Sequence, residues 1–338
     1  MRPLMRATRL NQALDTGAIT LPATGSIVVY RPQAGDDLSF LPKDRSVVVQ
    51  GFKPDHDAFV AQGYKVEVTG GAGHAAALVC LPRAKAEAHA LIAEAVAAVG
   101  PGGLVIIDGQ KTDGVDSIYR EMKGRVAVSE AQSKAHGKVF TFAAGPGIED
   151  WVAVPRDIGD GFQTVAGVFS ADAPDRGSVL LAGALPARLP GYVVDLGAGW
   201  GYLSRAILAR ASVKKLDLVE AEFAALDCAR RNVVDERARF HWADATSYRA
   251  DGYADYVVCN PPFHAGRDAD PALGLAFIQA AARMLSPNGE LWLVANRHLP
   301  YGKAIAALFR DVEEIGSDSA FRVTRCARPV KPAHPRGQ

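Results

Sequence analysis

Four short stretches of the chain carry side chains that could act on one ligand. In DLGAGWG, Asp195 to Gly201, an apolar run ends and a helix-like run begins. Gly197, Gly199 and Gly201 there let the backbone turn tightly, and the free N–H groups at the helix start can face a ligand. Glu220 ends the next apolar run, 25 residues after Asp195, where a carboxylate can accept hydrogen bonds from both hydroxyls of a ribose. Asp244 follows a third run in HWADAT and is placed to receive an adenine amino group. The fourth stretch, VVCNPPFHAG over 257–266, sets Asn260 directly before Pro261, Pro262 and Phe263. Each stretch alone has an architectural explanation, since proline punctuates strand ends and acids cap turns and helices. Four in succession, each at the end of an apolar run, are harder to explain that way. The G-x-G-x-x-G dinucleotide fingerprint is not met, because the third glycine comes one residue early and position 202 is tyrosine.

Such a set must be positioned by parallel strands. Strands are expected near 192–196, 216–220, 239–242, 255–259 and 290–295, with helices over 201–210, 222–232 and 271–285 between them. Ser286-Pro287-Asn288-Gly289 is expected to end the last helix as a turn. Beyond Ile305 the pattern gives a helix and then strand-like pieces near 311–316 and 321–327, close enough for an antiparallel hairpin.

The first half repeats part of this plan. ALVCLPRAKAEAHALIAEAVAAVGPGGLVIIDGQ, 77–110, and the stretch 256–296 both run strand, proline-containing turn, alanine-rich helix, turn, strand. In that alignment Leu81 stands where Asn260 stands, and Arg83 where Pro262 stands. The glycine-rich TGGAGHAAA, 69–77, precedes a strand instead of following one, so the first half is expected to lack a ligand loop of its own. A Gly-, Pro- and Asp-rich stretch over 145–166 reads as an irregular linker, with a domain boundary near 155. The expected architecture is α/β, with two tandem Rossmann-like domains. Residues 1–155 form the degenerate one and 156–338 the catalytic one, with a terminal antiparallel hairpin.

Composition narrows the class. With 338 residues, 49% hydrophobic and 22% charged, the chain is long enough for two domains and has no apolar stretch that could span a bilayer. MRPLMRATRL has no apolar region behind its arginines, so no secretory signal is expected and a cytoplasmic location is. Cys80, Cys228, Cys259 and Cys326 are scattered and read as small buried thiols, and the eight histidines show no ligand spacing, so no metal site is expected. The net charge of +1 says nothing about nucleic acid. FRVTRCARPVKPAHPRGQ at the end, with four arginines and no acid, reads as a solvated tail or an accessory phosphate contact.

DLGAGWG, Glu220, Asp244 and NPPF resemble the class I S-adenosylmethionine-dependent methyltransferases. The resemblance implies that Asp195 lies by the amino acid portion of this cofactor, that the glycines allow its close passage and that Glu220 holds the ribose. The implied cofactor set is Asp195, Gly197, Ala198, Gly199, Gly201, Glu220, Ala221, Asp244, Ala245 and Asn260. Asn260, Pro261, Pro262 and Phe263 are implied to form the catalytic loop. An exocyclic amine of a nucleobase is a poor nucleophile, because its lone pair is delocalised into the ring. Hydrogen bonds from its two N–H groups to the Asn260 side-chain oxygen and the Pro261 carbonyl would favour a pyramidal nitrogen aimed at the methyl group. Phe263 would stack on the extruded base, and His264 reads as a solvated loop residue.

Three longer segments are similar to the bacterial ribosomal RNA small subunit methyltransferase C family: GVFSADAPDRGSVLLAGALP, the run from NPPF to RHLPY, and LPRAKAEAHALIAEA with GGLVIIDGQKTDGVDS. This resemblance implies methylation of a guanine N2 amine in 16S ribosomal RNA, a partner on the small subunit, and an N-terminal domain that docks RNA or supports the catalytic one. The chain departs from the pattern at Glu220, where many relatives have Asp, and at Trp200 after Gly199. Alternatives are a large-subunit guanine-N2 enzyme, an adenine-N6 enzyme, or a release-factor glutamine methyltransferase, which the α/β first half disfavours. A catalytically silent RNA-binding protein is disfavoured by the intact glycine loop and Asn260, and a nicotinamide-dependent dehydrogenase by the glycine spacing.

Overall fold

A computed structural model describes residues 3–262, 264–265, 268–269 and 271–330. The chain divides into two compact units, Met1–Pro155 and Arg156–Gln338.

The first unit begins with α1 (Pro3–Asp15) and contains strands β1 (Ile27–Tyr30), β2 (Ser46–Val49), β3 (Lys65–Glu67), β4 (Ala76–Cys80), β5 (Leu104–Gln110), β6 (Gln132–Lys134) and β7 (Gly137–Ala143). Helices α2 (Lys53–Ala61), α3 (Lys85–Val99) and α4 (Val115–Lys123) lie between them. Strand order in the sheet is β3-β2-β1-β4-β5-β7-β6. Pairings from β3 to β5 are parallel, and those of β7 with β5 and β6 are antiparallel. β1, β2 and β4 are buried along their whole length, which is why they read as unbroken β-branched and alanine runs instead of alternating ones.

The second unit has β8 (Gly191–Leu196), β9 (Val213–Glu220), β10 (Ala238–Trp242), β11 (Ala254–Cys259), β12 (Leu285–Asn296), β13 (Phe309–Ser317) and β14 (Phe321–Pro329). Its helices are α5 (Arg176–Ala184), α6 (Tyr202–Leu208), α7 (Phe223–Asn232), α8 (Pro271–Met284) and α9 (Gly302–Leu308). The order β10-β9-β8-β11-β12-β14-β13 is the first unit's order, strand for strand, and again only the last two strands run antiparallel to their neighbours. The expected duplication and the terminal hairpin are therefore present. α5, α6 and α7 cover one face through Leu181, Leu203, Ile207 and Ala229, while α8 and α9 cover the other through Phe277, Ile278, Ala281 and Ile305.

Two expectations about irregular segments change. Ser286–Gly289 does not stand as a turn outside the sheet. The register passes from Ala254↔Leu285 to Tyr256↔Glu290, so these residues bulge within β12, and the strand starts directly off α8. Nor is 145–166 a free linker. Trp151 is buried in the first unit and stacks on His89 with 3.9 Å between ring centroids. Phe162 is buried in the second unit beside Trp200, and Gln163–Thr164 pairs with Arg156–Asp157 as a short antiparallel ribbon. Aromatic anchoring on both sides overrides a turn-rich composition. In the C-terminal basic stretch, Phe321–Pro329 is a sheet strand whose Arg325 and Arg328 pair with Glu290 and Asp311; residues 331–338 lie outside the described residues. All four cysteines are buried.

Where the second unit builds its site, the first builds an ion cluster. β4 ends at Cys80 as β11 ends at Cys259, but Leu81 follows and is buried in the core. Cys80 pairs with Asp108 on β5, where Cys259 pairs with Leu293. The fully buried Asp108 takes a two-pronged bond from Arg9, Nε to Oδ1 at 2.6 Å and Nη2 to Oδ2 at 3.0 Å, and Arg6 Nη1 lies 3.1 Å from Oδ2. Arg6 also reaches Asp36 at 3.1 Å. Asp108→Ala leaves two guanidinium groups buried with their main counter-ion gone. The expected cost is about 3–5 kcal/mol, read as a lower urea midpoint for the first unit with the second unit's transition unmoved.

Candidate active site

Sheet register brings the glycine loop and Asn260 side by side. β8 and β11 are neighbours at the point where strand order reverses, and Leu196 pairs with Cys259, so Gly197 and Asn260 are the first residues beyond two matched strand ends. On the other side of β8, Leu196 pairs with Val219, whose carbonyl accepts the N–H groups of Gly197 and Ala198 at 2.9 and 3.0 Å. Glu220 comes next and pairs with Trp242, two residues before Asp244. The four stretches thus lie at one edge of the parallel part of a single sheet.

The glycine loop is left-handed at three positions, with φ of +82° at Gly197, +55° at Gly199 and +93° at Gly201. A side chain at Gly201 would put its Cβ 2.7 Å from Val233, whereas Gly199 faces open space within 4 Å. Glu220 holds this loop from below. Its Oε2 accepts the Gly199 N–H at 2.8 Å and its Oε1 the Glu222 N–H at 2.7 Å, and burial raises its pKa. Each carboxylate oxygen keeps a further lone pair for a ligand. Trp200 is buried against Phe162 and Tyr202; its indole N–H donates to the Phe169 carbonyl at 2.9 Å, and its own carbonyl accepts from Asn232 at 2.8 Å. The loop is therefore fastened to residues 162–169.

Asp195 is wholly buried under the loop. Ser204 Oγ donates to Oδ2 at 2.5 Å, while Oδ1 has no partner. Burial, with Glu220 adding to it, pushes the carboxyl up to about 7 against the lowering effect of Ser204.

Asn260 is held from the far side of the cleft. Strand alternation turns Cys259 toward the α8 core and Asn260 toward the opposite face, where the start of α5 meets it. Its Nδ2 donates to Asp175 Oδ2 and Ser178 Oγ, both at 2.8 Å. Its Oδ1 is buried and unpartnered. A cleft between the two loops is lined by Gly197, Ala198, Gly199, Trp200 and Asn260, with Phe169, Ser170, Asp175, Ser178, Tyr202 and Leu203. Phe169 is exposed there, and Ser170 is held at φ +51°.

Other expected residues stand apart from this cleft. Ala221 accepts the Trp242 indole N–H at 2.8 Å through its carbonyl, and Ala245 packs in the core. Asp244 turns its carboxylate onto Thr246, taking the backbone N–H and the hydroxyl at 2.8 Å. Pro261 is buried and Pro262 exposed; Phe263 lies outside the described residues. Among the described residues no group of three or more His, Cys, Asp or Glu could hold a metal ion, and no helix is long and apolar enough to cross a membrane.

Residues 160–325 match the family described as "Methyltransferase small domain". A ribosomal RNA small subunit methyltransferase C of Shewanella amazonensis is 29% identical over 73% of this chain and 75% of its own length, and that of Alteromonas mediterranea is 28% identical over 74% and 72%. Residues 160–325 belong to the methyltransferase small-domain family, and the chain is similar to the small subunit methyltransferase C relatives over nearly three quarters of its length. A ribosomal RNA large subunit methyltransferase G of Aeromonas salmonicida is 32% identical, over 48% of this chain and 45% of that protein. Among solved structures, a T. thermophilus 16S rRNA N2 methyltransferase in complex with AdoMet and guanosine superposes with a TM-score of 0.74 at 20% identity, covering 91% of this chain and 90% of that one. That likeness establishes the fold across both units.

The methyltransferase's residues fit its cofactor, S-adenosylmethionine. The buried Oδ1 of Asp195 is an acceptor without a protein partner, Gly199 presents bare backbone with nothing within 4 Å of a Cβ position, and Glu220 is a carboxylate fixed beside the same loop, a donor and acceptor set that fits a cationic amino acid end and a hydroxyl-bearing sugar. Asp175 and Ser178 were not singled out from sequence, although the segment that holds them was. The signal available was Asp-x-x-Ser at a helix start, which reads as an N-cap; that Asp175 also reaches across 85 residues to Asn260 is a tertiary fact.

Proposed function

We propose that this methyltransferase transfers a methyl group to the exocyclic N2 amine of a guanine in ribosomal RNA, with the small subunit as its partner. The observation that carries the reading is the buried, unpartnered Asn260 Oδ1, set beside the glycine loop by the Leu196↔Cys259 register. An aromatic amine entering the cleft offers two N–H donors. Asn260 Oδ1 accepts one and the Pro261 carbonyl the other, which draws the nitrogen toward a pyramidal shape with its lone pair directed into the cleft. S-adenosylmethionine, when bound, would supply the electrophilic methyl group, the S–CH3 bond breaking as the N–C bond forms so that sulfur keeps the electron pair as a neutral thioether. Asp195 and the backbone of Gly197–Gly199 would hold its amino acid end, Glu220 its ribose and Asp244, once turned from Thr246, its adenine. No strong base is required, since the amine nitrogen becomes acidic as its new bond forms and water takes the proton. Phe263 supplies the sequence's aromatic surface for the base.

The relatives named for the small subunit match both units, whereas the large-subunit relative matches less than half of either chain, and this favours the small subunit. For the Met1–Pro155 unit the reading is RNA docking or support of the catalytic unit. Its counterpart of the site carries Leu81 and the Arg9–Asp108 pair instead of a glycine loop and an asparagine.

Incubating the protein with methyl-labelled S-adenosylmethionine and, separately, small subunits, large subunits, free ribosomal RNA and release factor tests the proposal. Digestion of the labelled small subunits is expected to release N2-methylguanosine. Label confined to protein, or recovered as N6-methyladenosine, would refute it. Label confined to the large subunit would move the substrate there.

A further inference from the structure

We infer that Asp175 is a positioning residue that decides which way the Asn260 amide faces. This rests on the proposed role of Asn260 as an acceptor for the substrate amine. An asparagine side chain is nearly symmetric in shape but not in chemistry, and an amide turned by 180° would present a donor where the reaction needs an acceptor. A carboxylate accepts only, so Asp175 Oδ2 at 2.8 Å can face Nδ2 but not Oδ1. Ser178 Oγ, also at 2.8 Å, takes the second Nδ2 proton. Both donors are thereby consumed on the α5 side, and the carbonyl oxygen is left without a partner at the cleft.

The carboxylate is itself fixed. Oδ2 accepts the Ser178 backbone N–H at 2.8 Å as the N-cap of α5, and α5 packs through Leu181 into the core that also holds Val258. The helix start and the strand end are thus braced on one core, and Asp175 transmits that rigidity to the amide. Flipping Asn260 would set its oxygen against the carboxylate and leave the donors at the cleft, so the flipped orientation is excluded electrostatically.

Asp175→Asn keeps size and capping ability but can pair with the Asn260 amide in either orientation. It is expected to lower kcat 10- to 100-fold, with the cofactor Kd and the Tm within error of the parent. The decisive variant is the exchange Asp175→Asn/Asn260→Asp, which restores one carboxylate and one amide in contact and keeps an acceptor oxygen at the cleft. It is expected to turn over at least tenfold faster than Asn260→Asp alone, where two carboxylates would meet. A helix cap alone predicts no such rescue. A readout independent of turnover uses asparagine labelled with 15N. The side-chain amide resonance that Asn260→Ala deletes is expected to exchange with solvent at least tenfold faster in Asp175→Ser, which keeps a cap and shortens the acceptor. Parent-like kcat in Asp175→Asn, an exchange variant no faster than Asn260→Asp, or unchanged amide exchange would each overturn the inference. If the wild-type protein methylates no RNA, the proposed function fails, while the amide-exchange measurement still decides whether Asp175 holds the amide.

Discussion

Asn260→Ala lowers kcat for methyl transfer by about 10³-fold while the Kd for S-adenosylmethionine stays within about threefold of wild type. The magnitude is that of removing one preorganised polar group from a water-excluded site. The selectivity for kcat follows from geometry: the Asn260 oxygen is buried at a residue that lines the cleft and has no protein partner, whereas the loop contacts made by Glu220 and Trp200 do not involve it. Stability is expected to change little, since the substitution removes a buried unsatisfied acceptor along with two donated hydrogen bonds. Single-turnover kinetics with isothermal titration of the cofactor separates the two effects. Equal losses in kcat and cofactor binding would place Asn260 among the binding residues instead.

Asp195→Asn is expected to weaken cofactor binding about 10²-fold at pH 8 and to flatten its pH dependence. The parent carboxyl, pushed up to about 7 by burial, is largely protonated at pH 6 and ionised at pH 8. Its charged form would pair with the cofactor's cationic amino group, so wild-type affinity is expected to rise with pH through 7, with a proton released on binding below that value. The same shift sets a stability slope in the cofactor-free protein. Between the unfolded value of about 3.9 and the folded value near 7, the folded chain keeps a proton that the unfolded chain has lost. The folded state then binds more protons, so the Asp195 contribution to stability is fully present below pH 4, is lost as pH rises to 7 and is level above it. The full span is on the order of 4 kcal/mol. Urea unfolding at pH 5 and pH 8 should show a steeper fall in the parent than in Asp195→Asn, where the raised Glu220 carboxyl still contributes in the same direction. Equal slopes in parent and variant would contradict the buried, unpaired state of Oδ1.

The parts of the fold legible in the sequence are those set by local pattern. Unbroken β-branched runs such as YVVDL and DYVVC mark strands buried on both faces, and the glycines and prolines after them mark the ends of those strands. Periodicity cannot see a bulge: Ser286-Pro287-Asn288-Gly289 has turn chemistry, and only pairing with β11 shows that it loops out within β12. Nor can composition weigh Trp151 and Phe162 against the glycines around them, because what holds them is packing against partners distant in sequence.

By itself, then, the sequence determined a duplicated α/β plan and a glycine loop, two acids and an Asn-Pro-Pro loop at successive strand ends, since residue type and spacing act over one turn or one strand. Tertiary structure alone decided that Leu196 pairs with Cys259, that Asp195 lies buried with one oxygen free, and that Asp175 and Ser178 consume both protons of the Asn260 amide. Those outcomes depend on which strand ends share a register and which helix starts above them, and contacts spanning 85 residues leave no periodic trace in the chain.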